Sequence, residues 1–485
     1  MNDKARYMGY VKKPLLNSLI VQVSVEKKPE IVRRDEIITI KDKDTEKLFF
    51  ARRVGNYIEK GKIGTVASHQ ANFKIINADS IPTTGSKCFI STDEEFRSLV
   101  KKIQNMGDRD KTTNEYKFGV YDSNPSVDMT LNAGIVKSRN IGIFGARDSN
   151  KKGVVIKLIK EMCMADFNKS MMAIHFDILG EWTGKKTFNA YNVDVFSFSR
   201  MNNGGVDTCV PFWLLTGEEI IKLIEPESYN RDLARAYERC ITDLISKKSL
   251  PTDIKGLQNY EPCEDLVEAL LCAVSSNSDG YSIQLHDIIK NAIKIGGCNF
   301  IFSIDKDSLS NLVNIIDPVV DNGVRIKMLN MNSIGREYAT IMVPALARLI
   351  TTMRNSKETA FYLDVVENYF QGQNGVRKEF IEKYLVRELM RLGTDKSHSV
   401  VVISTSPASL PAKILELCET RIITRLEGLE AKCVAESCDV IALNADSDFV
   451  VVNEGKGVPF GVVLSAKEYM PYEDLLPDRH FPENG

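Results

Sequence analysis

The pattern of apolar and polar positions changes character along the chain. Up to about residue 80 it consists of short apolar or alternating runs: Leu19-Ile-Val-Gln-Val-Ser-Val25, Glu36-Ile-Ile-Thr-Ile40 and Leu48-Phe-Phe-Ala51. Charged turns and Gly55, Gly61 and Gly64 separate them, and several short strands so close together predict a small barrel or sandwich. Residues 80–135 are mixed, with a helix predicted over Asp93 to Gln104 and a polar stretch, Gly107 to Asn114, read as a mobile loop.

From residue 140 onward strands and helices alternate, which predicts a parallel α/β sheet. Ile141 to Phe144 reads as a buried strand, and Val154, Val155, Leu158, Ile159 and Met162 recur at helical spacing after it. Further strands are predicted at Met172–Phe176, Val193–Phe198, Val324–Leu329, Thr359–Asp364, Ser399–Ser404 and Thr420–Leu426. Between them, residues 216–297 are mostly helical and read as an insertion. Thr216-Gly-Glu-Glu219 has the form of a capping box, and Leu233, Ala234, Ala236, Tyr237, Cys240, Ile241, Leu244 and Ile245 form a core stripe. A helix from Glu337 to Met353 follows. The tail from Val458, rich in Pro and charge, reads as an extended arm. The expected domains are therefore 1–80 (β-barrel), 81–135 (connection), 136–457 (α/β core with the insertion) and 458–485 (arm).

Two stretches carry candidate chemistry. Gly145 to Val154 joins a strand to a helix through a small, polar loop and contains Gly145, Asn150, Lys151, Lys152 and Gly153. Strand, Gly-containing loop, Lys and helix is the layout of a phosphate-binding loop, where N–H groups and a helix N-terminus face an anion. Against G-x-x-x-x-G-K-[ST], Asn150 replaces the second Gly and Lys152 the hydroxyl that ligates Mg²⁺. Taken alone, the stretch reads as an ordinary strand-to-helix turn. The second stretch ends a predicted strand in Asp364, as a Walker B strand does, with Val365 beside it and Glu367 two residues later. Such an Asp holds the Mg²⁺ water shell and a following Glu polarises the attacking water; a strand merely ending in an Asp cap is the other reading. Asp177 and Glu181, at the predicted C-terminal end of another strand, lie at the edge where open α/β sheets bind ligands. His175, inside an apolar run, reads as a packed core residue.

Charge and composition narrow the picture further. A formal net charge of −2 gives no global attraction to nucleic acid or membrane. No apolar run approaches a membrane span, and nothing at the start resembles a signal peptide. Ten Cys without a C-x-x-C pair and five isolated His suit reduced cytosolic thiols and argue against a zinc site. The expected location is cytoplasmic.

In order and spacing, most of the chain resembles the HerA-like branch of the HerA/FtsK P-loop motors. The resemblance runs from the N-terminal barrel through Asn140–Val154 to Phe176-Asp-Ile-Leu-Gly-Glu-Trp182, where the family tends to D-P-H-G-E-[FY]. It continues through Pro211-Phe-Trp-Leu-Leu215, Asp364, Arg391-Leu-Gly393 and Ile403-Ser-Thr-Ser-Pro407, which is similar to S-Q-R-P. It ends at Asn453-Glu-Gly-Lys-Gly-Val-Pro459, similar to the segment before a C-terminal brace. It implies a RecA-like core, a homo-oligomer in the form of a hexameric ring, duplex DNA contacted without sequence preference, and ATP with Mg²⁺ held through Asp364.

The departures fall on the chemistry. Lys152 cannot ligate Mg²⁺, Val365 replaces the acid beside Asp364, and Thr405 and Ser406 stand where the family has Gln and Arg. Arg421 and Arg425 are candidate substitutes for that Arg, although arginines on an alternating strand are more often solvated. Two functions follow. One is a ring-forming scaffold or regulatory subunit, with weak or no hydrolysis, serving a DNA-processing or defence nuclease or other effector. The other is an active ATP-dependent DNA translocase or helicase using Lys151, Asp364 and Glu367.

Overall fold

The computed structural model describes residues 7–15, 18–23, 37–53, 58–63, 66–76, 80–105, 115–121, 124–132, 140–147, 149, 151–164, 171–182, 193–198, 206–225, 230–276, 280–317, 326–354, 358–370, 376–395, 397–426, 428–434, 448–453 and 462–468. The chain forms two compact units. The first comprises residues 1–135, 144–154 and 419–475, and the second residues 136–143, 155–418 and 476–485.

The first unit begins with β1 (Tyr7–Pro14), β2 (Ser18–Val23), β3 (Ile37–Lys41), β4 (Leu48–Arg53), β5 (Ile58–Ile63), β6 (Val66–Ile76) and β7 (Lys87–Ile90). They pair antiparallel in the order β2-β1-β7-β3-β4-β6-β5, and a β2–β6 pairing closes six of them into a barrel. The alternation in the sequence fills it: Leu19, Val21 and Val23, Ile38 and Ile40, Phe49 and Ala51, and Ala71, Phe73 and Ile75 point into one core. Gly9 permits a close strand approach, since a Cβ there would lie 2.0 Å from the Gln22 carbonyl oxygen.

Asp42 fastens the turn after β3. Its carboxylate accepts the N–H groups of Thr45 (2.9 Å) and Thr83 (2.7 Å), and the hydroxyls of Thr45, Thr83 and Ser86. The expected helix is found at Asp93–Asn105, and two further strands, β8 (Glu115–Tyr121) and β9 (Asn124–Asn132), form a hairpin. The stretch Gly107 to Asn114 lies outside the described residues.

The second unit is built on a parallel sheet. Its strands are β10 (Ile141–Phe144, whose last residue belongs to the first unit), β11 (Met172–Asp177), β12 (Val193–Ser197), β13 (Val206–Asp207), β14 (Ile326–Asn330), β15 (Thr359–Leu363) and β16 (His398–Ser404). The order is β13-β12-β14-β11-β15-β16-β10. β11, β14, β15 and β16 are buried throughout, as near-continuous apolar strands in a parallel sheet must be. The expected α/β class with an N-terminal barrel is the one found.

The helical segment runs further than 297, through Lys306–Ile316. Asp305 starts that last helix with a capping box formed with Ser308, a signal weaker in sequence than the Thr216–Glu219 box. Glu219 does more than cap its own helix. It is buried and takes a two-pronged contact from Arg348, on the helix Arg336–Met353, and a hydrogen bond from the Tyr384 hydroxyl, on Val376–Thr394. The side chain of Asn140 joins two other segments, donating to the Gly393 carbonyl at 2.9 Å and accepting the Val400 N–H at 3.0 Å.

The strands do not end at residue 426, as the sequence pattern suggested. β17 (Thr420–Ile423), β18 (Asp448–Asn453) and β19 (Val462–Glu468) of the first unit continue antiparallel in the order β17-β18-β19-β8-β9. Residues 462–468, expected in an extended arm, are thus a strand with partners on both sides. Residues 469–485 lie outside the described residues. Among the described residues no helix is long and apolar enough to cross a membrane.

Candidate functional site

The phosphate-loop stretch belongs to the first unit. Phe144, at the end of β10, accepts the Thr424 N–H at 2.8 Å, and the Ala146 N–H donates to the Arg425 carbonyl at 2.8 Å. These bonds clamp Gly145 against the chain leaving β17. A Cβ at 145 would sit 1.7 Å from the Thr424 hydroxyl oxygen and 2.5 Å from that of Ser149, so only glycine fits. The Ser149 and Thr424 hydroxyls lie 2.7 Å apart and share a hydrogen bond, with the Ala146 carbonyl 2.7 Å from Ser149 and the Phe144 carbonyl 3.3 Å from Thr424 as further acceptors.

The helix Lys151–Met164 starts immediately after this turn and has no acid in its first turn. Its N-terminal N–H groups therefore face no carboxylate of their own. The Lys151 ammonium is buried and donates to the Gly145 carbonyl at 3.3 Å. Gly153 is buried and Lys152 half-buried beside it; Asn150 lies outside the described residues. A helix start, a buried ammonium and a glycine-bound turn fit an anion such as a nucleotide's phosphates. They do not fit Mg²⁺, because an ammonium stands at 152 where a hydroxyl ligand is required.

The carboxylates expected at strand ends belong to the second unit. Asp177 ends β11, fully buried, and accepts the N–H groups of Glu181 (3.1 Å) and Trp182 (2.9 Å) across a turn in which Gly180 has φ +69°. Glu181 itself is half-buried in that turn. The turn aims the Trp182 indole at Asp364, and the indole N–H donates to Asp364 Oδ2 at 2.7 Å. Asp364 follows β15, where the sequence placed it, and is buried.

Val365 then takes φ +44°, a left-handed conformation that for a β-branched residue costs on the order of 1–3 kcal/mol. In the chain beyond it, Val366 donates its N–H to the Ile403 carbonyl at 2.9 Å. Glu367 accepts both the N–H of Thr405, at 2.8 Å, and its hydroxyl. The other Glu367 oxygen is buried with no hydrogen-bond partner among the described residues.

His175 is a core residue, as expected. Its ring lies 4.9 Å from that of Trp182 and 6.1 Å from that of Tyr362, and burial lowers its pKa to about 3, leaving it neutral. Neither ring nitrogen, nor the nearby buried Tyr369 hydroxyl, has a hydrogen-bond partner among the described residues. Tyr369 is held protonated by burial, with the Asp364 and Asp177 charges adding to the effect.

The two arginines fare differently from the sequence expectation. Arg421 is not solvated: it is buried in β17, and its guanidinium donates to the Val434 carbonyl at 2.9 Å. Arg425 falls beyond the end of β17 and is half-buried, with its carbonyl tied to Ala146. Among the described residues no group of three or more His, Cys, Asp or Glu is placed to hold a metal ion.

Sequence reasoning missed Thr424, Thr405 as the partner of Glu367, and Trp182 as a donor. The last had a signal: Trp182 is one of two tryptophans in the chain, and it stands where the family has Phe or Tyr, which have no ring N–H.

No family model matches the chain, and no curated protein matches it. Among solved structures, VirB4 of Thermoanaerobacter pseudethanolicus aligns with a TM-score of 0.53 at 11% identity, over 75% of this chain and 99% of that one. The pCW3 conjugation coupling protein TcpA, as a monomer with ATPγS, gives 0.32 at 9% identity, over 97% and 92%. The genome packaging NTPase B204 from Sulfolobus turreted icosahedral virus 2, with ATPγS, gives 0.31 at 6%, over 69% and 99%. The likeness to VirB4 is one of fold alone.

Proposed function

We propose that this chain is a HerA-like, ring-forming P-loop protein that binds nucleotide or another phosphate anion weakly and does not turn it over. In this reading it is a cytoplasmic scaffold or regulatory subunit of a DNA-processing or defence complex, whose partner is a nuclease or other effector. The ring is a hexamer of this chain, and duplex DNA in its channel is contacted through phosphates.

One observation carries the reading: Glu367, the candidate to activate water, is tied through one carboxylate oxygen, Oε1, to the N–H and hydroxyl of Thr405. Hydrolysis of a nucleoside triphosphate needs a bridging Mg²⁺, a positioned water and a cation on the transferring group. Here Lys152 replaces the metal's hydroxyl ligand, Glu367 is engaged elsewhere, and Ser406 stands at the arginine position. Each such group contributes orders of magnitude to the rate, and three are missing together.

The test is phosphate release by the purified chain with Mg²⁺, with and without duplex DNA, alongside particle images. A ring with a central hole and no turnover is the expected result. A chain that stays monomeric at micromolar concentration removes the ring, and DNA-stimulated turnover replaces the scaffold by an active translocase. DNA affinity is expected to fall steeply with salt and to ignore sequence.

A further inference from the structure

Trp182 joins two buried carboxylates. Its main-chain N–H donates to Asp177 Oδ2 at 2.9 Å and its indole N–H to Asp364 Oδ2 at 2.7 Å. A carboxylate in so dry a place needs donors or a cation, because desolvating the charge otherwise costs far more than a fold can supply. At a Walker B strand tip the metal and its water shell meet that need. We infer that in this protein the Trp182 indole N–H takes the place of the metal's water shell on Asp364, so that the centre is complete without a divalent cation.

Three features support this, and it rests on the reading of the site as non-hydrolytic. The donor is preorganised: the Asp177 carboxylate fixes the Trp182 backbone through the turn at Gly180, and the indole packs on the His175 ring. The neighbouring groups form no metal cage among the described residues: Glu367 accepts from Thr405, and the His175 ring is packed against the rings of Trp182 and Tyr362. Finally, the backbone is bent to hold this arrangement, with Val365 kept at φ +44° between Asp364 and Glu367.

The test uses the full chain and two variants, with Mn²⁺ or Mg²⁺ alone as the probe. Trp213 donates to the Pro251 carbonyl, away from these residues in the sequence, so Trp213→Phe leaves Trp182 as the sole indole fluorophore. Its emission is expected to stay unchanged through a Mn²⁺ titration. A saturable change that disappears when Asp364→Asn is added would show a cation displacing the indole, and would overturn the inference. Trp182→Phe keeps the ring and removes the N–H. That variant is expected to melt lower than the unmodified chain and to gain a Mn²⁺-dependent rise in Tm that the unmodified chain lacks. A folded Trp182→Phe chain with no cation-dependent rise would equally overturn the inference. If that variant does not fold, the Trp213→Phe titration decides alone. None of these measurements reads hydrolysis, so the scaffold reading, tested by phosphate release, stands or falls separately.

Discussion

Glu367 accepts the Thr405 N–H at 2.8 Å and the Thr405 hydroxyl as well, which ties the segment after β15 to the end of β16. Glu367 is buried, so this is a charge-assisted bond in a dry setting and stabilises more than a neutral one. Glu367→Ala leaves two donors on Thr405 without their acceptor and is expected to cost about 2–4 kcal/mol in denaturant unfolding. Glu367→Gln, which still offers a carbonyl oxygen, should cost less. A water-activating base would behave the other way: Glu367→Gln would abolish phosphate release and leave stability almost unchanged.

Much of this was legible in the sequence, and what was not has a common cause. The strand ending at Asp364, the Lys151 helix and the Thr216–Glu219 box follow from periodicity and local spacing, which one window of sequence contains. The partners of these residues come from far along the chain. Trp182 reaches Asp364, Glu367 reaches Thr405, Gly145 meets Thr424, and Glu219 meets Arg348. No local pattern encodes such pairings. The strands β18 and β19 escaped for a related reason, since an antiparallel ribbon is defined by register between distant segments.

The Gly145–Thr424 approach predicts a specific pair of variants. Gly145→Ala places a methyl group 1.7 Å from the Thr424 hydroxyl oxygen, and the loop must shift. The expected cost is about 1–3 kcal/mol, the range for overpacked sites. Adding Thr424→Ala removes the clashing oxygen and should recover part of it. The Ser149 hydroxyl oxygen at 2.5 Å and the Cβ of residue 424 at 3.1 Å would remain, so full recovery is not expected. Equal unfolding midpoints for the single and double variants would sink the packing argument.

Asp42 predicts how the barrel responds to acid. Burial alone would push its carboxyl up, but the N–H groups of Thr83 and Thr45, with their hydroxyls, outweigh burial and hold it well below the usual range. A depressed carboxyl contributes stability that is whole above the unfolded value of about 3.9 and is lost as pH falls from there toward the folded value. Asp42→Asn cannot accept through its NH₂ group. It should destabilise the chain at neutral pH and flatten the pH dependence of stability below about pH 4. Thermal melts of both chains across that range check this, and parallel curves would refute it.

Half-buried Arg348 and buried Glu219 form an ion pair whose removal is costly from one side. Arg348→Met leaves the Glu219 carboxylate with only the Tyr384 hydroxyl and its own cap N–H at hand. An uncompensated buried charge of this kind typically costs about 3–5 kcal/mol. The loss should appear as a lowered unfolding midpoint. Replacing both residues together by apolar ones should cost less than Arg348→Met alone, and a double variant worse than the single would argue against the charge as the cause.

Lys151 decides between the two functions. Its ammonium is buried at the start of the 151–164 helix, 3.3 Å from the Gly145 carbonyl, where an anion at the helix N-terminus would meet it. A charged hydrogen bond is worth about 1.5–3 kcal/mol, so Lys151→Ala should weaken binding of a fluorescent ATP analogue by roughly 10- to 100-fold. Binding by the unmodified chain should not require Mg²⁺, since the position that would hold the metal is Lys152. Phosphate release should be negligible before and after the substitution, and partner binding should survive it, because a scaffold role asks nothing of Lys151 beyond the fold. Steady release that rises with duplex DNA and vanishes in Lys151→Ala would force the opposite view. Asp364 and Glu367 would then have to leave Trp182 and Thr405 during turnover, and this chain would be an active motor.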